Sequence, residues 1–222
     1  MATIILDDQL LVPHGIDDLR SFCTWTHRED FPQVGRIDYI SGRIEIDMSP
    51  EQLFAHGRLK TEFVASLSNV VQRSEWLICS DSTRVVERRA ELSSEPDLVL
   101  VARDSIQNGR VRLIPKANVQ NDFVEIEGAA DIVIEIVSDS SVGKDTTRLP
   151  IAYFTAGIGE YWIADARHEE LAFVIYRRGV EAFQPVEVTP DGWQFSPALK
   201  REFQLTRPVT EPDWVEFELK VR

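Results

Sequence analysis

The run Asp131-Ile132-Val133-Ile134-Glu135-Ile136-Val137-Ser138 constrains this chain more than any other segment. It is short and β-branched, so it reads as a core strand. Side chains alternate along a strand, which puts Asp131, Val133, Glu135 and Val137 on one face and the three isoleucines on the other. Glu135 therefore stands where a packed layer would place an aliphatic residue. A lone buried carboxylate costs on the order of several kcal/mol unless it is paired, hydrogen-bonded or bound to a metal. Any fold this chain adopts must give Glu135 such a partner, either an arginine in an ion pair or a divalent cation. A second strand-like run, Leu98-Val99-Leu100-Val101, follows Pro96-Asp97. An acid after proline can be a simple turn residue. Two acids delivered by neighbouring core strands point instead to a divalent-metal site.

The 222 residues suit one domain, or one domain with a tail, and 43% apolar content gives it a sizeable core without staples. Cys23 and Cys79 form no metal or redox spacing and read as free thiols of a reducing cytosol, so a cytoplasmic protein is expected. The opening Met1-Ala2-Thr3-Ile4-Ile5-Leu6-Asp7-Asp8 has no basic n-region, so no signal peptide is expected. No apolar stretch is long enough to span a bilayer, and no membrane partner is expected. The net charge of −13 argues against a general nucleic-acid coat protein, because phosphate neutralisation dominates such affinity. It does not exclude a nuclease, since a metal cluster needs acids and basic residues can gather on one face. Arg84, Arg88 and Arg89 cluster locally, as do Arg110, Arg112 and Lys116; both groups are expected to be solvated mixed-charge surface.

Gly15 to about Arg28 reads as a helix with Asp17 and Asp18 in its opening turn. Arg36–Ile40 and Arg43–Met48 alternate on either side of Ser41-Gly42 and form a hairpin. Ser49-Pro50-Glu51 then opens a long helix to about Arg73, with Ser49 as N-cap and Leu59, Phe63, Leu67 and Val70 at helical spacing. Strands follow at Trp76–Cys79, Thr83–Val86, Leu98–Val101, Phe123–Ile126 and Ile132–Val137. Residues 103–121 are turn-rich, with a hairpin signal at Asn108-Gly109. A polar loop after Ser138 leads to a helix ending near Ala156-Gly157, then strands at Glu160–Ala164 and Leu171–Tyr176 and a proline-rich β tail. The pattern is α/β or α+β.

Two carboxylates on adjacent strands can hold Mg²⁺ (or Mn²⁺), and such a metal lowers the pKa of a bound water and clamps phosphate oxygens. Phosphodiester cleavage also needs a cation to orient the water and neutralise developing charge. A lysine two residues after the glutamate would share its strand face, but that position is Val137. The next cations are Lys144 and Arg148, four apart and so on one helix face. Pro150 is tolerated in a helix's first turn, so the helix is expected to begin near Thr146 or Thr147, with Lys144 in the preceding loop. Lysine ranks slightly ahead because it can shuttle a proton, which arginine does not readily do. Both read equally well as surface charge. Glu51, at a helix start, would reach the metal or its water, or simply complement the helix dipole. His56 reads as a packed or solvent-facing polar residue. Tyr161-Trp162 reads as core packing rather than a base-stacking platform.

Pro96-Asp97 followed by Glu135 resembles the PD-(D/E)xK nuclease superfamily. Ile134–Ser138, Asp145, Tyr153, Ala156-Gly157-Ile158 and Glu160–Asp165 resemble the Uma-two family of restriction-endonuclease-like proteins, and Ser49-Pro50-Glu51 with His56 resembles its N-terminal helix motif. The likeness runs from about residue 20 to 185. It implies a restriction-endonuclease-like core of mixed central β-sheet flanked by helices over residues 1–185, with 186–222 as a β-rich extension packed on it. It implies Asp97 and Glu135 as metal ligands, DNA as substrate, and a homodimer, because the two strands of a duplex call for two sites. The segment 180–222 would then form the dimer interface or cover the sheet within one chain. Family members usually carry the catalytic lysine on the helix after the glutamate strand, and that slot here holds Leu149. A catalytically inactive nuclease-fold module for binding or interaction is the second reading.

Overall fold

The computed structural model describes residues 12–117, 119–208 and 214–222. The reading of Met1–Asp8 lies outside them. Helix α1 (Leu19–Thr26) is shorter than the 15–28 span expected, because Asp18 caps it: the Ser21 N–H donates to Asp18 Oδ1 at 2.7 Å and the Asp18 N–H to Ser21 Oγ at 3.1 Å. Strands β1 (Arg36–Ile40) and β2 (Arg43–Asp47) form the expected hairpin. Ser41 (φ 48°) and Gly42 (φ 84°) are both left-handed, as the two-residue turn of a twisted hairpin requires.

The next helix does not begin at Ser49. Residues 48–52 are non-helical, a wide π-helical turn spans Leu53–Arg58, and α2 proper is Leu59–Val70. Local side-chain bonds explain the delay. The Ser49 N–H donates to Asp47 Oδ1 at 2.8 Å, and Glu51 is drawn to His56 and Lys60, so neither residue caps a helix. Strands β3 (Trp76–Ser80), β4 (Arg84–Glu87), β5 (Leu92–Ser94) and β6 (Leu98–Ala102) follow. The turn-rich stretch contains α3 (Arg103–Gln107) and β7 (Val111–Pro115), joined through Asn108-Gly109. After β8 (Phe123–Gly128) and β9 (Ile132–Ile136), a second π-helical turn, Lys144–Arg148, runs into α4 (Leu149–Thr155). Helical geometry already holds at residues 142–143, so Lys144 lies within the helical segment instead of in the loop. The Leu149 N–H closes the wide turn onto the Lys144 carbonyl, and Pro150, which has no N–H to give, falls just beyond it. The chain continues through β10 (Glu160–Asp165), β11 (Ala172–Arg178), β12 (Phe183–Pro185), β13 (Gln194–Ser196), β14 (Arg201–Thr206) and β15 (Glu218–Val221).

Two six-stranded sheets carry the fold, in the orders β2-β1-β5-β4-β8-β7 and β12-β11-β10-β9-β6-β3. Both are mixed, with β4 parallel to β8 and β9 parallel to β10. Their facing surfaces and α4 enclose one core, which includes Ile40, Val85 and Leu92 from the first sheet, Val99, Val133 and Tyr161 from the second, and Leu149 and Tyr153 from α4. Helix α1 covers the outer face of the first sheet. The outer face of the second, with Ile132, Ile134 and Ile136, meets Leu59, Phe63 and Leu67 of α2 and a third sheet, β13-β14-β15. The strand β9 is therefore buried on both sides, and the face carrying Glu135 looks into the core between the sheets.

The C-terminal segment packs on its own chain. Phe203 and Leu219 are buried against the second sheet, the Phe203 and Trp162 rings lie 4.8 Å apart, and the Leu219 N–H donates to Glu62 Oε1 of α2 at 3.0 Å. Phe203→Ala is expected to destabilise the protein by about 3–5 kcal/mol in urea unfolding, the range for emptying a buried aromatic site; a loss below about 1 kcal/mol would mean that this sheet does not belong to the cooperative core.

Candidate active site

Strands β6 and β9 run antiparallel with Leu98 opposite Ile134, so Asp97 and Glu135 stand one rung beyond, on the same face. Asp97 is fully buried, and Glu135 is 1% exposed. The backbone joins them as well, since the Ile136 N–H donates to Asp97 Oδ2 at 2.7 Å. The arginine that an ion pair for Glu135 would require is found on its neighbour. Arg36, at the start of β1, donates to Asp97 Oδ1. His56 Nε2 lies 3.2 Å from the same oxygen, and His56 Nδ1 lies 2.7 Å from Glu51 Oε1. With a carboxylate on each ring nitrogen, both must donate, which makes His56 an imidazolium. Burial opposes that charge, but Asp97 and Glu51 outweigh it and raise the pKa. For Asp97, burial favours the neutral acid, yet the His56 bond and the Arg36 charge hold its carboxyl well below the usual range.

Glu135 is in the opposite condition. Its Oε1 accepts from Tyr153 of α4 at 2.7 Å, whose hydroxyl also meets Ser94 Oγ at 3.1 Å. Its Oε2 is buried with no hydrogen-bond partner among the described residues. Burial, then the charges of Asp145 and Asp97, push the Glu135 pKa far up. Asp145 is equally buried. Its Oδ2 accepts from Ser141, whereas Oδ1 has no partner among the described residues. Burial raises its pKa to about 6. The third element is Lys144, buried, whose Nζ donates to Asp38 Oδ2 of β1 at 2.9 Å. Arg148 reaches Glu45 of β2 with two bonds, at 2.5 and 2.7 Å, and is partly exposed. Asp38 and Glu45 are cross-strand partners, so Lys144 and Arg148 do share a face, and together they dock α4 onto the hairpin.

The sequence-derived candidates thus separate. Asp97, Glu135 and Lys144 come together in the interior. Arg148 lies at the rim, and Glu51, half-exposed, touches His56 and Lys60 at 2.7 Å each. Arg36, Asp38 and Asp145 were not singled out as site residues. Arg36 and Asp38 carry no signal beyond ordinary strand alternation; Asp145 is among the residues that carry the family resemblance, but no role follows from that alone, and it lies in the π-helical turn Lys144–Arg148. Of the basic clusters, Arg84 is not surface: it is buried and bonded to the Ile37 carbonyl, Ser93 and Glu95. Arg88 and Arg112 both pair with Glu127 on the surface.

A cleft of about 260 Å³ beside Asp97 is lined by Arg36, Glu51, His56, Lys60, Asp81 and Ser138, among others. An adjoining space of about 470 Å³ is lined by Arg36, Asp38, Glu45, Lys144 and Arg148. Arg36, Asp47, Ser49 and Ser140 border both. Among the described residues no three histidine, cysteine or carboxylate groups are already gathered around a metal position. Glu135, on the rung beside Asp97, and Asp145 each keep one unpartnered carboxylate oxygen, a hard donor of the kind Mg²⁺ or Mn²⁺ prefers.

Comparison with known proteins bears on this arrangement. The model of a family described as "Putative restriction endonuclease", Uma2, matches residues 19–208. The chain belongs to the Uma2 family. A solved structure from Anabaena variabilis ATCC 29413, described as "a putative nuclease belonging to DUF820", superposes with a TM-score of 0.59 at 19% identity, covering 82% of this chain and 90% of that one. That likeness shows that the two chains share one fold, in keeping with the mixed α/β architecture. No curated protein matches the chain. No helix among the described residues is long and apolar enough to cross a membrane.

The raised acids make stability pH-dependent. Folded Asp145 holds its proton up to about pH 6, while the unfolded chain releases it at about its ordinary value of 3.8. Between these values the folded state binds more protons, so stability falls as the pH rises through that window. Asp97, with a depressed pKa, contributes stability that is fully present above 3.8 and adds no slope there. In the presence of a chelator, Asp145→Asn is expected to flatten the fall and to be more stable than wild type at pH 7 by roughly 1–3 kcal/mol. Urea midpoints at pH 4, 5, 6 and 7 measure this; parallel curves for the two proteins would contradict it.

Proposed function

We propose that the protein is a metal-dependent endonuclease that hydrolyses DNA phosphodiester bonds. One observation carries the reading: Glu135 and Asp145 each keep a buried carboxylate oxygen without a partner, beside an ionised Asp97. Buried polar atoms are otherwise nearly always satisfied, so such a pair is expected where a further group binds. Asp97, Glu135 and Asp145 would hold Mg²⁺ or Mn²⁺, which when bound supplies a more acidic water and a clamp on the phosphate. The other residues have roles of their own. Tyr153 fixes the orientation of Glu135, and His56, held by Glu51, fixes that of Asp97. Lys144, anchored by Asp38, brings a permanent positive charge to the acids; burial works against that charge, but Asp38 and Glu135 sustain it. It is the group we assign to orient the attacking water and offset negative charge on the phosphate. Lys60 and Arg148 stand at the cleft walls where a DNA backbone would run. Cutting both strands of a duplex calls for two copies, so we further propose a cytoplasmic homodimer.

A second reading is favoured by one specific observation. Leu149, in the slot where the family's lysine is expected, is fully buried in the core between the sheets. A chain that had lost its catalytic cation would persist as an inactive binding module.

Cleavage of single- and double-stranded DNA with Mn²⁺ or Mg²⁺ separates the two. Asp97→Ala and Glu135→Ala are each expected to lower the rate by at least about a hundredfold, the scale of losing a principal charge-stabilising group. Equal activity in wild type and both variants would reject the assignment, and calorimetry showing no Mn²⁺ binding by wild type would favour the inactive module. Lys144→Ala is expected to cost about a hundredfold in rate, whereas Arg148→Ala, at the rim, is expected to cost less than about tenfold. The reverse order would place the cation role on Arg148.

A further inference from the structure

Asp97 presents a difficulty for any divalent ion. Its Oδ2 is taken by the Ile136 N–H, and its Oδ1 by Arg36 and His56. As it stands, this carboxylate has little left to give, in contrast to Glu135 and Asp145. The two groups on Oδ1 differ in how firmly they are kept there. His56 is buried, lies in the turn that leads into α2, and is held from behind by Glu51 at 2.7 Å. The Arg36 side chain is about a quarter exposed, and its hydrogen bond to Asp97 is its one side-chain bond among the described residues. It also borders both the cleft beside Asp97 and the space beneath Lys144 and Arg148. Arg36 thus borders both cavities and is bonded to an oxygen of the carboxylate assigned above to the metal.

We propose that Arg36 is a displaceable cation: it pairs with Asp97 as described and, when a divalent ion takes that carboxylate, turns into the cleft to bind a backbone phosphate of the substrate. The proposal rests on the metal-dependent reading given above. Its physical basis is charge. A monovalent cation on Asp97 repels an incoming divalent one, strongly at such short range and in a partly buried site. Once displaced, a planar guanidinium is well suited to bidentate contact with phosphate oxygens. Arg36 is then a group for substrate positioning that also sets the affinity for the metal, and it places a cation at the site without using the missing strand lysine or the slot at Leu149.

The decisive property is that metal affinity and cleavage should move in opposite directions. In calorimetric titration with Mn²⁺, Arg36→Gln is expected to bind about tenfold more tightly than wild type, equivalent to removing one modest repulsive contact. Its rate of DNA cleavage is expected to fall by about a hundredfold. A residue that merely supported the fold would lower both. Unchanged or weaker Mn²⁺ binding by Arg36→Gln, with wild-type binding present and abolished in Glu135→Ala, would overturn the role of Arg36 and leave the metal reading intact. Absence of Mn²⁺ binding in both wild type and Arg36→Gln would defeat both. Tight binding by the variant alone would support the exchange in its strongest form. A second measurement needs no loss of the residue's charge. The Arg36 Nε–H resonance of the wild-type protein, assigned by its disappearance in Arg36→Lys, is expected to shift on adding Mg²⁺ and to stay fixed in Glu135→Ala. A resonance that does not move at saturating Mg²⁺ would exclude the exchange.

Discussion

Asp38, Asp97, Glu135 and Asp145 are all buried around one end of the core, and the cations set among them govern how the surrounding elements meet. Each sheet supplies part of the charge balance. Arg36 and Asp38 come from the β1–β2 hairpin in the first sheet, Asp97 and Glu135 from neighbouring strands in the second, and Lys144 and Asp145 from the turn that leads into α4. Arg36 crosses to Asp97, and Lys144 crosses to Asp38. Neither sheet could be removed without stranding a charge in the other. Breaking such a pair is costly because the remaining ion stays buried, even where an apolar replacement of both partners would not be.

That arrangement also explains the two conditions in which carboxylates occur here. Among the described residues Asp97 has three donors, which hold its pKa down, whereas Glu135 and Asp145 have one hydrogen-bond donor each and are driven towards the neutral acid. A core selected only for stability would replace the latter two with aliphatic residues, as β9 does at Ile132, Ile134 and Ile136. Their retention is a cost in folding free energy, and such costs collect at sites that do something other than hold the fold.

The sequence made much of this legible, and unevenly. The phase of the Asp131–Ser138 run identified Glu135 as an interior acid, and the flanking strands, the Ser41-Gly42 hairpin and the apolar stripe of α2 followed from period and turn chemistry. What could not be read was pairing across long separations. Arg36 and Asp97 are 61 residues apart, and Lys144 and Asp38 are 106 apart; nothing local in Arg36 or Asp38 distinguishes them from ordinary strand residues. The helix starts differ from local sequence preference for a related reason. Ser49 has the character of a cap, but its neighbourhood is held by Asp47 and by the cleft residues that engage Glu51. Local preference gave way to tertiary contacts, as it commonly does around sites.

The two wide turns that precede α2 and α4 have a consequence for how this architecture can change over time. Each accommodates one more residue per turn than a regular helix, and one presents His56 while the other presents Lys144 and Asp145. Removing a single residue from either would let the helix continue in regular geometry, with its packing face preserved, but would swing these side chains about a quarter-turn away from the strands. Spacing along the chain, and not only the identity of the charged residues, therefore carries the information that builds this site. Single-residue deletions at 53–58 or 144–148 are the lesions it should tolerate least, even where every named side chain survives.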